Sequence, residues 1–134
     1  MSIMYYPAVF HIAEDVQGYW VEFPDLPGCF SQGDTIAHTM EQAKEALGLY
    51  LDKDTDLYEK DIASPSDIQN IMKQYPNEIV VLVEYNALEF ARKYKTKAIK
   101  KTLSIPEWLN DEAIHQNINF SQVLQEALIA KLQL

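Results

Sequence analysis

The sequence predicts an α+β protein built from two small domains, and three observations support this prediction. Short β-rich runs near the start lead into a helical apolar stripe, and a second strand pattern followed by two helices lies near the end. The charge also reverses. Residues 1–91 carry sixteen Asp and Glu against four Lys, a net −12, whereas residues 92–134 carry seven Lys and Arg against four acids, a net +3. We therefore expect domains at 1–91 and 92–134 with oppositely charged partners.

The composition is that of an ordinary globular protein, with 134 residues, 48% apolar and 23% charged. Neither a signal peptide nor an apolar run of the ~20 residues that cross a bilayer is present, so we expect a cytoplasmic protein without membrane association. The single Cys29 predicts a buried small residue rather than a nucleophile. His11, His38 and His115 lack metal-ligand spacing, so neither a metal nor another cofactor is expected.

The N-terminal domain begins with three predicted strands. Tyr5–Ile12 and Gly18–Phe23 are rich in β-branched and aromatic residues and are joined by a short connection, which indicates a hairpin. The segment PDLPG at 24–28 is a tight turn, and Cys29–Gly33 follows as a third strand. Together they predict an antiparallel meander.

Two helices and a strand complete this domain. Asp34 or Thr35 can cap a helix that covers one face of the sheet. Its apolar residues recur at helical spacing: Ile36, Met40, Ala43, Leu47, Tyr50 and Leu51. The polar stretch Asp52–Asp67 predicts a loop leading into a short helix at about Ser66–Gln74. The uninterrupted apolar run Ile79–Val83 predicts a central or well-covered strand, giving the order β-β-β-α-(α)-β.

The C-terminal domain follows a short predicted helix at 87–90 and the basic run RKYKTKAIKK at 92–101. The segment 99–105 alternates as a strand with one wet face. Its two faces are Ile99, Leu103 and Ile105 on one side and Lys100, Thr102 and Ser104 on the other. Pro106 suits the first turn of a helix running to about Gln116.

Asn119 can cap the last helix. Its apolar stripe is Phe120, Val123, Leu124, Ala127, Leu128 and Leu132.

One strand and two helices cannot bury their apolar surfaces alone, so this domain requires a second copy of the chain. Two strands paired antiparallel would form a ribbon that fits the DNA major groove. The ribbon would present Lys100, Thr102 and Ser104 to base edges, while the helix start at Asn119 and Ser121 would hold a phosphate.

A helix-turn-helix is the competing interpretation. It requires base-reading residues near the start of the second helix, but Lys131 is the only basic residue from 120 to 134. Lys97, Lys100 and Lys101 lie in or beside the predicted strand instead, so the charge favours a ribbon. A merely solvated basic face is the plainer alternative.

The basic run divides into two parts. Four of its residues are expected in a linker and on the DNA backbone: Arg92, Lys93, Lys95 and Lys97. Lys100 begins the base-reading face, and Lys101 is expected at the dimer edge or a phosphate.

Several segments together resemble the HicB family of type II antitoxins, in the variant with a C-terminal ribbon-helix-helix domain. They are YPAVF, GYWVEFPDLPGCFSQGDT, AKEALGLYL, KKTLSIPEWLN and INFSQVLQEAL. The resemblance implies a partial ribonuclease-H-like N-terminal domain that blocks a HicA toxin, a small basic RNA-cleaving protein. It also implies a C-terminal dimer that binds the operator DNA of its own operon as an autorepressor. Other members end in a helix-turn-helix, so the ribbon rests on this chain's own strand pattern.

The acidic domain is suited to a toxin that must attract RNA phosphates. The expected apolar contacts are Tyr19, Trp20 and Leu26, each with a core or hairpin position as the alternative. The expected acidic contacts are Glu22, Asp25 and Asp34, each with solvated surface as the alternative.

Catalysis is not expected. Active ribonuclease-H-like enzymes hold two metal ions with clustered carboxylates, whereas the first strand here has no acid and Glu22 and Glu84 are scattered. An orphan ribbon-helix-helix regulator without a toxin is the alternative function. The C-terminal pattern predicts a homodimer, and pairing of the N-terminal domains would extend it to a tetramer.

Overall fold

The computed structural model describes residues 3–52 and 62–134. The chain divides into two compact units with the boundary between Lys97 and Ala98. We refer to them as the N-terminal and C-terminal units. The boundary lies six residues beyond the expected start of the second domain at residue 92.

The N-terminal unit contains a four-stranded antiparallel sheet in the order β3-β2-β1-β4. In the central strand β1, Phe10 lies opposite Val21 on one side and Ile79 on the other. The predicted meander of the first three strands is confirmed. The strands are β1 (Ile3–Ile12), β2 (Tyr19–Glu22), β3 (Phe30–Gly33) and β4 (Ile79–Asn86).

Three helices belong to this unit: α1 (Ile36–Leu51), α2 (Ile68–Gln74) and α3 (Ala87–Tyr94). Thr35 caps α1, because its Oγ1 accepts a hydrogen bond from the backbone N–H of His38 at 3.1 Å. Asp67 caps α2 in the same way through the N–H of Gln69 at 2.8 Å. The predicted loop at 52–67 lies mostly outside the described residues.

The expected central position of β4 is wrong. β4 is an edge strand that pairs with β1 and with no other described strand, and Ile79 and Leu82 are about half exposed. The central strand is β1, in which 6–10 are all buried. The strand is not well covered either, because Val83 is the only buried residue of β4. An unbroken apolar run favours burial, but the position of a strand within a sheet depends on pairing.

The main core lies between one face of the sheet and α1. Tyr6, Phe10 and Val21 of the sheet pack with Ala43 and Leu47 of the helix, and all five are buried.

Cys29 belongs to the same cluster, and burial raises the pKa of its thiol to about 12. The prediction of a buried small residue at this position is confirmed.

The C-terminal unit contains α4 (Glu107–His115) and α5 (Phe120–Leu132). Asn117 joins them with a φ of 56°. The N–H of Asn117 donates to the carbonyl of Ile114 and that of Ile118 to Ala113, both at 3.0 Å, which closes α4 in a Schellman arrangement.

Residues 95–106 form neither helix nor strand in the single chain. A strand is defined by hydrogen bonds to a neighbouring strand, and the predicted ribbon requires a second copy to supply them. The ribbon therefore stays a prediction. No helix in the described ranges is long and apolar enough to cross a membrane.

Candidate functional site

A hydrogen-bonded cluster lies on the face of the sheet opposite α1. His11 Nε2 lies 2.8 Å from Glu22 Oε2, and His11 Nδ1 lies 3.3 Å from Glu78 Oε2. The ring of Trp20 stacks on His11 with the centroids 4.0 Å apart and an interplanar angle of 17°. The cluster fixes Trp20 and Glu22, two of the expected toxin contacts, in one orientation.

Tyr75 extends this cluster from the end of α2. Its hydroxyl donates a hydrogen bond to Glu22 Oε1 at 3.1 Å. Burial and then this contact with the Glu22 carboxylate raise the pKa of Tyr75. Both carboxylate oxygens of Glu22 are therefore engaged within the chain.

The register of β2 and β3 places Phe30 on the same face as this cluster, although Phe30 was not among the predicted contacts. Glu22 pairs with Phe30 and Trp20 pairs with Gln32, so these four side chains share one face. Tyr19 pairs with Gly33 and points to the α1 side, where it is partly buried. Strand parity could have identified Phe30, because it directly follows the buried Cys29.

The PDLPG turn is held by contacts within the unit. Leu26 is buried in the core, as the core alternative predicted, so its side chain is not available to a partner. The Asp25 carboxylate accepts hydrogen bonds from the backbone N–H of Ser66 at 2.8 Å and from the Ser66 hydroxyl. Asp34 remains exposed at the end of β3.

Three of the six basic residues in the run 92–101 do not lie in a free linker. Arg92 and Lys93 lie in the last turn of α3, and Lys95 Nζ lies 3.2 Å from Asp52 Oδ1. The expected linker role of these three residues is wrong, because packing of α3 continues past the predicted domain boundary. Lys97 is exposed at the end of the N-terminal unit.

The other expected DNA-contacting residues are exposed in the C-terminal unit. Lys100, Lys101, Thr102 and Ser104 lie in the segment without regular secondary structure. The N-cap prediction for Asn119 is confirmed, because its Oδ1 accepts a hydrogen bond from the N–H of Gln122 at 3.1 Å. Ser121 is exposed in the first turn of α5.

The apolar stripes of this unit are also exposed. α4 and α5, both fully described, contain no buried residue. Leu109, Ile114, Val123, Leu124 and Leu128 each expose more than a third of their surface.

The carboxylates that the enzyme hypothesis considered do not form a metal site among the described residues. Glu22 binds His11 and Tyr75, whereas Glu84 accepts a hydrogen bond from the Tyr5 hydroxyl at 3.4 Å. Within the described ranges, no group of three or more His, Cys, Asp or Glu could hold a metal ion.

Comparison with curated proteins gives partial matches. An uncharacterized 14.9 kDa protein of Haemophilus phage HP1 is 39% identical over 75 residues, which are 56% of this chain and 51% of that protein. A UPF0150 protein of Archaeoglobus fulgidus is 45% identical over 42 residues, 31% of this chain and 61% of that protein. The chain thus spans about half to three-fifths of the length of these relatives.

Solved structures match over longer ranges. A toxin–antitoxin complex from Streptococcus pneumoniae contains a chain with 26% identity and a TM-score of 0.56, covering 97% of this chain and 99% of that one. The N-terminal domain of Burkholderia pseudomallei HicB has 26% identity and a TM-score of 0.53, covering 62% of this chain and 99% of that one. Full HicB of the same organism, at 22% identity and a TM-score of 0.53, covers 97% of both chains and shows the same fold.

The family model for HicB-like antitoxins of bacterial toxin–antitoxin systems matches residues 6–132. The match includes both units and agrees with the resemblance carried by the sequence motifs. This chain therefore belongs to the HicB-like antitoxin family of bacterial toxin–antitoxin systems.

Proposed function

We propose that this antitoxin binds and neutralises a HicA-type mRNA-cleaving toxin through residues 1–91 and represses its own operon through residues 92–134. The N-terminal domain is a non-enzymatic, partial ribonuclease-H-like module. The C-terminal domain is a ribbon-helix-helix dimer that binds operator DNA in the cytoplasm. The observation that carries the DNA-binding half is the absence of any buried residue in α4 and α5, both fully described in the single chain.

The net charge of residues 1–91 supports the proposed toxin binding. A protein that cleaves RNA must attract phosphates and therefore presents a cationic surface. Residues 1–91 carry a net −12 and compete with RNA for that surface. The solved relative from Streptococcus pneumoniae comes from a toxin–antitoxin complex and covers 97% of this chain.

Dimerisation explains the open C-terminal unit. Two copies bury the apolar faces of α4 and α5 against each other and pair their 99–105 segments as a ribbon. Lys100, Thr102 and Ser104 then contact base edges. Asn119 and Ser121 hold a phosphate at the start of α5, and Lys97 and Lys101 add backbone contacts. Pairing of N-terminal units would extend the dimer to a tetramer.

The test is the double variant Lys100→Ala with Thr102→Ala in the full chain. We expect it to abolish operator binding in an electrophoretic mobility-shift assay while toxin neutralisation in growing cells remains intact. Lys131→Ala, which removes a lysine near the end of α5, is the matched control and should retain binding.

If the double variant shifts operator DNA at the wild-type concentration, the ribbon assignment is wrong. The neighbouring reading frame separates the antitoxin from the orphan regulator. A short adjacent frame that encodes a basic, His-containing protein supports the antitoxin, and a wild-type chain that fails to neutralise its product contradicts it.

A further inference from the structure

The outer face of β2 and β3 presents two exposed aromatic side chains within the acidic unit. We define this outer face by Trp20, Glu22, Phe30 and Gln32, which β2–β3 pairing places on the same side of the sheet. Trp20 is 40% exposed and Phe30 is 67% exposed. α1 packs on the opposite side, where Val21 is fully buried.

The exposed aromatic residues are not required by the core. Phe30 lies on the edge strand β3 and is mostly exposed, so it contributes little to the core. Two large aromatic side chains flanking one carboxylate are typical of protein interfaces, where tryptophan and other aromatic residues dominate the binding energy.

Two of the four side chains of this face, Trp20 and Glu22, are held by contacts within the unit. Trp20 stacks on His11 at 4.0 Å, and Glu22 is held at 2.8 Å by His11 and at 3.1 Å by Tyr75. Side chains that are already ordered lose little conformational entropy on binding. A partner can therefore contact Trp20 with little cost for ordering its side chain.

The charge around this face indicates the kind of partner. A cavity of about 450 Å³ lies beside Trp20 and is lined in part by Glu14, Asp15 and Glu78. Among the described residues that line it, none is Lys or Arg. The exposed aromatic side chain of Trp20 is therefore bordered by carboxylates, which complement a cationic protein surface.

We propose that the outer face of β2 and β3 binds the cationic, RNA-contacting surface of the toxin. Trp20 and Phe30 are the apolar anchors, and the surrounding carboxylates direct the basic surface towards them. This inference rests on the proposed toxin-binding function and specifies the surface that performs it. Leu26, which was expected as an apolar contact, is buried and is not part of this face.

The test compares two exposed apolar residues on different sides of the same unit. Phe30→Ser removes an anchor, whereas Leu49→Ser removes a side chain of α1 that is likewise half exposed or more. The probe is the purified product of the adjacent toxin frame, titrated with full-length antitoxin by calorimetry. We expect Phe30→Ser to weaken binding by about tenfold or more and Leu49→Ser to leave it unchanged.

Trp20→Ala is a second test of the same face. Thermal unfolding is measured in parallel, because Trp20 contacts His11. We expect it to weaken toxin binding with operator binding retained. If the wild-type chain binds the toxin and the Phe30→Ser variant binds it equally well, the assignment of the toxin-binding surface to this face is wrong, while the proposed function stands. If Leu49→Ser weakens toxin binding as much as Phe30→Ser does, the assignment of this face is also wrong. If the wild-type chain does not bind the toxin, both proposals fail.

Discussion

The two units of this chain use their apolar residues differently. In the N-terminal unit, Tyr6, Val21 and Leu47 are buried against one another within a single chain. In the C-terminal unit, α4 and α5, which are both fully described, contain no buried residue. The first unit is therefore stabilised by contacts within one chain, whereas the proposed dimer would make the stability of the second unit depend on protein concentration.

The largest expected effect tests this dependence on association. Leu128 and Ile129 are exposed to nearly the same extent, 50% and 49%, but only Leu128 lies in the apolar stripe of α5. We expect Leu128→Glu to abolish C-terminal dimerisation and operator binding, because a charge would be buried in the dimer core. Ile129→Glu should leave both intact. Sedimentation velocity and mobility-shift assays measure the two properties, and equal behaviour of the two variants would contradict the stripe assignment.

The next effect tests the core of the N-terminal unit, between the sheet and α1. Leu47 is fully buried between α1 and the sheet. Leu47→Ala should lower the free energy of unfolding of the N-terminal unit by about 2–5 kcal/mol through lost burial and a cavity. The loss should be the same at low and high protein concentration, as measured by urea unfolding. Leu49→Ala, on the exposed side of the same helix, is the control and should change stability little.

A smaller effect is expected where α3 packs on α1. A Cβ added to Gly48 would lie within 2.2 Å of Cδ2 of Phe90. Gly48→Ala should therefore destabilise the unit by roughly 1–3 kcal/mol, although alanine favours a helix. In a Phe90→Ala background the same change should be neutral or stabilising. A double-mutant cycle of thermal unfolding measures the coupling, and additive effects would contradict the contact.

The smallest effect compares the two helix caps. Thr35 caps α1 and Asn119 caps α5, each through a hydrogen bond of 3.1 Å. Thr35→Ala should cost about 1 kcal/mol of unfolding free energy with operator binding unchanged. Asn119→Ala should cost a similar amount in the dimer and also weaken operator binding. If both variants affect only stability, Asn119 does not hold a phosphate.

Local patterns predicted most elements of the N-terminal unit. The meander, α1 and the cap at Thr35 follow from alternation, helical spacing and a capping residue within a few positions of each element. The edge position of β4 did not follow, because strand order is set by pairing between residues some 70 positions apart, such as Phe10 and Ile79.

The candidate site was predicted in part. Trp20 and Glu22 are on the outer face, but Leu26 is in the core and Asp25 bonds with Ser66. The same turn residues could have faced a partner or the core, and only the packing of the turn against α1 and Ser66 decides between them. Phe30 was missed although strand parity after the buried Cys29 indicates its exposure, and only the structure places it on the same face as Trp20.

The sequence by itself determined the opposite charges of the two domains, the apolar stripes and the family motifs. These are properties of residue identity and spacing, which the order of side chains along a chain fixes directly. Only the tertiary structure decided that β1 rather than β4 is central, that α3 extends into the basic run and that Trp20 and Phe30 share an exposed face. Each of these depends on contacts between segments far apart in sequence, and such contacts arise from packing rather than from local periodicity.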